Sequence, residues 1–272
     1  GTGIGMLLDT TSTIVTTSGN IAISGTGSTG ATGAANHGVQ INSTKGVSST
    51  AGNINIVGTS GTGTTNDVGV RIVGTSPLTT SGNITVAGTS NGKGTSNNFG
   101  VEVNNSTLTT TGPGAISITG NGGGKANNYG AYITNSAKLQ TANGNATLIG
   151  SAGAASSAAG IGFLLDNKAS IVTGAGNVSI NGTGSTGATV TGNNGVQINT
   201  INGVSSTSGN IQITGTSGTG TGTDYGVRII GTSPLTTGGA TLGVTGKSIS
   251  TGATTTNVGI DISGASKLTN RN

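Results

Sequence analysis

Residues 52–74 read GNINIVGTSGTGTTNDVGVRIVG. Two short segments in this stretch alternate apolar and polar positions: Ile54-Asn55-Ile56 after Gly52-Asn53, and Val70-Arg71-Ile72 after Gly69. Alternation of apolar and variable residues over three to five positions, rich in Ile and Val and bounded by Gly, Asn, Ser and Thr, is the pattern of a strand with one buried face. The Gly, Thr and Ser run between the two segments has no such period.

The second segment recurs along the whole chain. Gly followed by apolar, variable, apolar appears at Gly5, Gly38, Gly69, Gly100, Gly130, Gly162, Gly195, Gly226 and Gly259, at spacings of 33, 31, 31, 30, 32, 33, 31 and 33 residues. After each comes a short segment ending in small hydroxylated residues, as in Pro77-Leu78-Thr79-Thr80 and Pro234-Leu235-Thr236-Thr237. A Gly-Asn-apolar-variable-apolar segment follows, as at Gly19-Asn20, Gly52-Asn53, Gly176-Asn177 and Gly209-Asn210, with Ala115 and Ala240 read in the Asn position of two coils.

Self-similarity at 20 to 50 residues is the mark of a repeat architecture, in which a unit that cannot bury its own apolar face stacks on its neighbours. The expected fold is therefore all-β, with no helix. It is a parallel β-solenoid of about nine coils, each of about 31 residues with three short strands and one long Gly/Thr/Ser/Asn loop. The chain, residues 1–272, reads as one solenoid domain. A longer repeat is superimposed, since residues 3–80 match residues 160–237 at an offset of 157, with Gly74–Thr80 repeated as Gly231–Thr237. Duplication of a five-coil block accounts for it.

Composition narrows the function. Gly makes up 55 of 272 residues and only 6% carry charge, yet 31% are hydrophobic and regularly spaced, which separates the chain from disordered low-complexity sequence. The absence of Cys removes disulfides, thiolate metal sites and Cys nucleophiles. Ten Lys or Arg are scattered with no basic cluster, so no nucleic-acid partner is expected, and no apolar run is long enough to insert in a membrane. The start has neither an initiator Met nor a leader pattern, which predicts a fragment of a longer repeat protein.

The segments GNINIVGTSGTGTTNDVGVRIVG, residues 52–74, and SGNITVAGTSNGKGTSNNFGVEVNNSTLTTTG, residues 81–112, resemble the repeat regions of filamentous-haemagglutinin-like exoproteins and large autotransporter adhesins. The resemblance covers nearly the whole chain. It implies a right-handed, single-stranded β-helix, export by a type V or two-partner route, an extracellular or cell-surface location, and roles in adhesion, aggregation or biofilm. Partners of that class are a second copy in a fibre, a host or neighbouring cell surface, or a polysaccharide.

Catalysis on this fold would need carboxylates close together. The six acids are Asp9, Asp67, Glu102, Asp166, Asp224 and Asp261. Asp9 and Asp166, like Asp67 and Asp224, are five coils apart, about 24 Å at strand spacing. No enzyme activity, metal or cofactor is expected. A carbohydrate-active enzyme fragment and an ice-binding solenoid are the alternatives. The first would show a cluster of acids on one face. The second would show a flat regular Thr face, whereas the variable column reads Ala22, Asn55, Thr85, Ser117, Thr147, Ser179 and Gln212.

Three sets of residues stand out. Asn20, Asn53, Asn83, Asn145, Asn177 and Asn210 form a turn column whose amides can bond from coil to coil. Arg71 and Glu102, and again Arg228 and Asp261, occupy equivalent positions in adjacent coils and should form outward ion pairs. Leu7 and Leu164, with Val15 and Val172 nearby, fall at variable positions, giving an apolar outward spot suited to lateral contact unless the adjacent loop covers it. The single His37, replaced by Asn194 in the duplicate, reads as a solvent-facing loop residue.

Overall fold

The computed structural model describes residues 2–30, 33–124, 127–154, 159–187, 190–250 and 257–271. These contain 26 strands and no helix. The strands assemble into three sheets, each taking one strand from every coil. The first runs over nine strands from Met6–Thr10 to Val258–Ile262, the second over nine from Ile14–Thr16 to Lys267–Asn270, and the third over eight from Ile21–Thr26 to Leu242–Lys247. Every neighbouring pair is parallel. The described chain is thus a β-solenoid of eight complete coils and two strands of a ninth.

The landmark columns point inward, as the period-two pattern requires. Val39, Ile41, Ile54, Ile56, Val70, Ile72, Ile211 and Ile213 are fully buried, each above its counterpart one coil away. Volume is balanced along the axis. Ala131 in the fifth coil pairs with Phe163 in the sixth, so the one aromatic ring inside the core fills the space that Ala131 leaves.

The long loop leaves the third sheet and returns to the first through a narrow neck. Gly88 and Gly100 meet there, as do Gly120 and Gly130, Gly150 and Gly162, and Gly182 and Gly195. A β-carbon on the first member of each pair would overlap the carbonyl oxygen of the second. Close approach of two backbones is what makes Gly obligatory at the landmark.

Beyond the neck the loops stack as a side lobe. Ala35 donates to the Thr65 carbonyl at 3.0 Å and Asn66 to that of Ser96 at 3.0 Å, and Thr65 and Ser96 form a parallel bridge. The lobe interior is polar: Asn36, Ser60, Asp67, Asn98, Asn128, Asn193, Ser217 and Asp224 are all fully buried.

Candidate functional site

Ladders of side chains hold the corner between the second and third sheets. The Asn20 side-chain oxygen accepts the Asn53 N–H at 2.8 Å, Asn53 that of Asn83 at 2.8 Å, and Asn83 that of Ala115 at 2.8 Å. The column resumes from Asn145 to Asn177 to Asn210, and Asn210 accepts from Thr241. Thr241, rather than Ala240, therefore occupies the Asn position of the eighth coil. The step from Thr237 to Leu242 equals that from Ser206 to Ile211, and Ile211 pairs with Leu242.

A hydroxyl column lines the inner side of this corner: Ser49, Thr110, Thr173 and Thr237 donate to the carbonyls of Gly19, Gly114, Gly176 and Gly209. Here lies the reason that the second segment ends in Ser or Thr. The corner buries backbone carbonyls, and a short hydroxyl reaches them where an apolar side chain would leave them unpaired.

The first sheet carries a different arrangement on its outer face. Arg71 Nε lies 2.8 Å from Glu102 Oε2, and Arg228 Nε 3.4 Å from Asp261 Oδ2, each pair in direct register. Glu102 is only 6% exposed, and its second oxygen accepts from Asn104 at 2.9 Å, so it is more enclosed than an outward strand position implies. Leu164 is likewise covered, at 4% exposure, between its register partners Tyr132 and Gln197. Leu164 therefore presents almost no surface for a lateral contact. Leu7 and Val15 in the first coil are exposed, and Val172 is half-buried.

The covering comes from the residue just before each landmark Gly. His37, Val68, Phe99, Tyr129 and Ile161 hold that position in successive coils, where the lobe folds back onto the sheet. Phe99 stacks on Tyr129, with centroids 5.0 Å apart and planes 4° apart, and both meet Tyr132 edge-on at 5.3 Å. Tyr132 donates to Asp166 Oδ2 at 3.4 Å, and Thr134 donates to Asp166 Oδ1 at 2.5 Å. Burial raises the Asp166 carboxyl above its ordinary range against these two hydrogen bonds. Burial also pushes the Tyr132 hydroxyl up to about 12, with the Asp166, Tyr129 and Glu102 charges adding to the rise against the Thr134 hydrogen bond.

His37 is buried, at 2% exposure, and not the solvent-facing residue that its loop context implies. Its Nδ1 accepts the Val68 N–H at 3.2 Å. Burial, and then the nearby Arg71 charge, lower its pKa to about 4, so the ring is neutral at pH 7 with its proton on Nε2. Between the lobe and the first sheet a cavity of about 210 Å³ opens, lined by Ala35, His37, Asn66, Val68, Arg71, Asn97, Phe99 and Glu102. Ala35, Asn66 and Asn97 form its rim in the left-handed backbone conformation, at φ of 62°, 57° and 56°. Asn97 Nδ2 donates to Asn66 Oδ1 at 2.8 Å. Among the described residues no group of three or more His, Asp or Glu gathers as metal ligands would.

Within the lobe, Asp67 and Asp224 stand in a column whose other members are Asn36, Asn98, Asn128, Asn193 and Asn257, with Gly160 in the sixth coil. Asp67 Oδ1 accepts both the N–H and the side-chain amide of Asn36 at 3.0 Å, while Oδ2 has no partner. Asn98 Oδ1, one coil further, also lacks one. Asp224 repeats the geometry with Asn193, at 2.8 and 3.2 Å, and its Oδ2 is again unpartnered.

Desolvation raises the Asp67 pKa despite the two bonds from Asn36. A carboxyl raised in the folded state contributes stability that is complete below its unfolded value near 3.8 and is lost as pH rises through the folded value. Asp67→Asn would put an amide donor where Oδ2 has no partner. The variant is expected to be more stable than the parent by about 1 kcal/mol or more at pH 7, with the gain shrinking toward pH 4. Urea unfolding of the two proteins at both pH values measures it.

Comparisons with protein-family models, with curated proteins and with solved structures return no match to this chain.

Proposed function

We propose that the chain forms a rigid rod in an extracellular, surface-held bacterial adhesin or fibre. The supporting observation is the unbroken stack: three parallel sheets share one register from the first coil to the last, pinned at one corner by the Asn and hydroxyl ladders. Nine strands at roughly 4.8 Å make a body about 40 Å long, whose length grows by adding coils without any new kind of interface. The duplication of residues 3–80 as 160–237 fits selection for length. The low charge and the absence of Cys suit a scaffold held by repetition rather than by disulfides or metals.

An ice-binding role has less support. The outer column of the third sheet is in exact register, yet it places Ala22, Asn55, Thr85, Ser117, Thr147, Ser179 and Gln212 in line. An ordered array of one hydroxyl type is not formed.

Antibodies raised against the folded chain test the surface-rod reading on cells that express the parent protein. Intact cells should be labelled, and deleting the coding segment should reduce attachment between cells or to surfaces. Labelling only after lysis, with attachment unchanged, would overturn the reading.

A further inference from the structure

The duplicated block supplies an internal comparison for the cavity beside His37. Arg71 and Glu102 have their counterparts in Arg228 and Asp261, so both blocks keep the charged pair. The other lining differs. Tyr225 replaces Val68 at the 157-residue offset, Asn194 replaces His37, and Val258 holds the position of Phe99. The Tyr225 ring packs against Arg228, whose guanidinium carbon is 4.8 Å from the ring centroid, where the first block has the smaller Val68. In the second block a ring therefore lies over the arginine of the pair. In the first block no ring stands at position 68, and the cavity lies beside Arg71.

From this difference and from the lining we infer that the cavity between the side lobe and the first sheet is a binding site for one neutral pyranose unit of a saccharide. The volume of about 210 Å³ equals about seven waters at roughly 30 Å³ each, the scale of a single sugar ring with its hydroxyls. Val68 and Phe99, 1% and 5% exposed, form the apolar floor of the cavity, beneath the more open Ala35, Asn66, Arg71 and Asn97. Around that floor stand groups that bond hydroxyls in both directions. His37 presents Nε2–H, because Nδ1 already accepts from Val68. Arg71 spends Nε on Glu102 and retains its terminal nitrogens, while the Asn97 amide oxygen and the second lone pairs of the Glu102 and Asn66 oxygens, each already accepting one hydrogen bond, supply acceptors.

Charge argues for a neutral ligand. The guanidinium is compensated by Glu102 at 2.8 Å, and His37 is uncharged at pH 7. Few-point recognition in a small, half-open cavity sets the affinity for a single unit at about millimolar, which a polysaccharide would raise by presenting many units along the rod.

Saturation-transfer NMR on the purified chain tests this with four probes: the methyl pyranosides of glucose, galactose, mannose and N-acetylglucosamine. At least one should receive saturation from the parent. Val68→Tyr, which installs the residue of the duplicate, should abolish the transfer while leaving circular dichroism and the unfolding midpoint unchanged. Should Val68→Tyr fail to fold, His37→Asn carries the same expectation, since the duplicate tolerates Asn194. The site assignment is overturned if none of the four probes receives saturation, or if a folded variant binds as the parent does. Binding of a uronate in place of all four would overturn the neutral class. The surface-rod reading is decided separately, by antibody labelling of cells, so either can fail alone.

Discussion

Ile211→Asp is expected to destroy the cooperative unfolding of the coils around it, lowering stability by more than about 4 kcal/mol. Ile211 is fully buried and stacks in register between Val178 and Leu242. The substitution removes a side chain worth about 2 to 3 kcal/mol of burial, and it also places a carboxyl among aliphatic neighbours where no hydrogen-bond partner is within reach. Stacking makes the damage spread, because each coil is held only by the coils on either side. Ile54→Asp, at the equivalent place in the first block, should behave alike. Thr85→Asp is the matched control. Thr85 lies one residue from buried Ile84 but on the exposed face, and its change should stay within about 0.5 kcal/mol. Urea unfolding followed by circular dichroism at the strand minimum separates the three, and equal losses at 211 and 85 would refute the assignment of faces.

What the sequence made legible follows from which parts of the coil bury apolar surface. The Gly-apolar-variable-apolar landmarks place every strand of the first sheet, and Ile54, Ile56, Ile211 and Ile213 announce their inward direction by period two alone. Arg71 and Glu102 could be brought together from spacing, since register follows from the same landmarks.

The side lobe stayed hidden because its interior is polar. Asn36, Asp67, Asn98 and Asn193 are as buried as any isoleucine, but they satisfy backbone groups instead of excluding water, and so leave no hydrophobic period to read. A signal existed all the same. Asn or Asp recurs two residues before the landmark Gly, and an apolar or aromatic residue stands immediately before it at Val68, Phe99, Tyr129, Ile161, Tyr225 and Val258. Read as columns, those positions predict both a buried polar ladder and a covered outer face, and they would have placed His37 and Leu164 correctly.

Gly120→Ala is expected to cost more than about 3 kcal/mol, although the backbone there is open to any residue. Gly120 is not among the glycines of positive φ, so the cost is steric and not conformational. Its missing β-carbon leaves room for the Gly130 carbonyl oxygen, which accepts the Val101 N–H at 3.0 Å in the first sheet. A methyl group at 120 cannot be accommodated by rotating a side chain, because every atom it meets is backbone or the rigidly held Ala131 amide. Either the two legs of the loop part, breaking the hydrogen bond to Val101, or the third-sheet strand Ile116–Asn121 shifts against its parallel neighbours. Gly30→Ala provides the contrast, since a β-carbon at Gly30 meets no atom within 4 Å, and loss of unfolded-chain freedom should make that change neutral or stabilising by a few tenths of a kcal/mol, about 0.4. Chemical unfolding of both variants is the measurement. If Gly120→Ala unfolds at the same denaturant concentration as Gly30→Ala, the glycine neck does not hold lobe and coil in contact, and the cavity that depends on their apposition loses its wall.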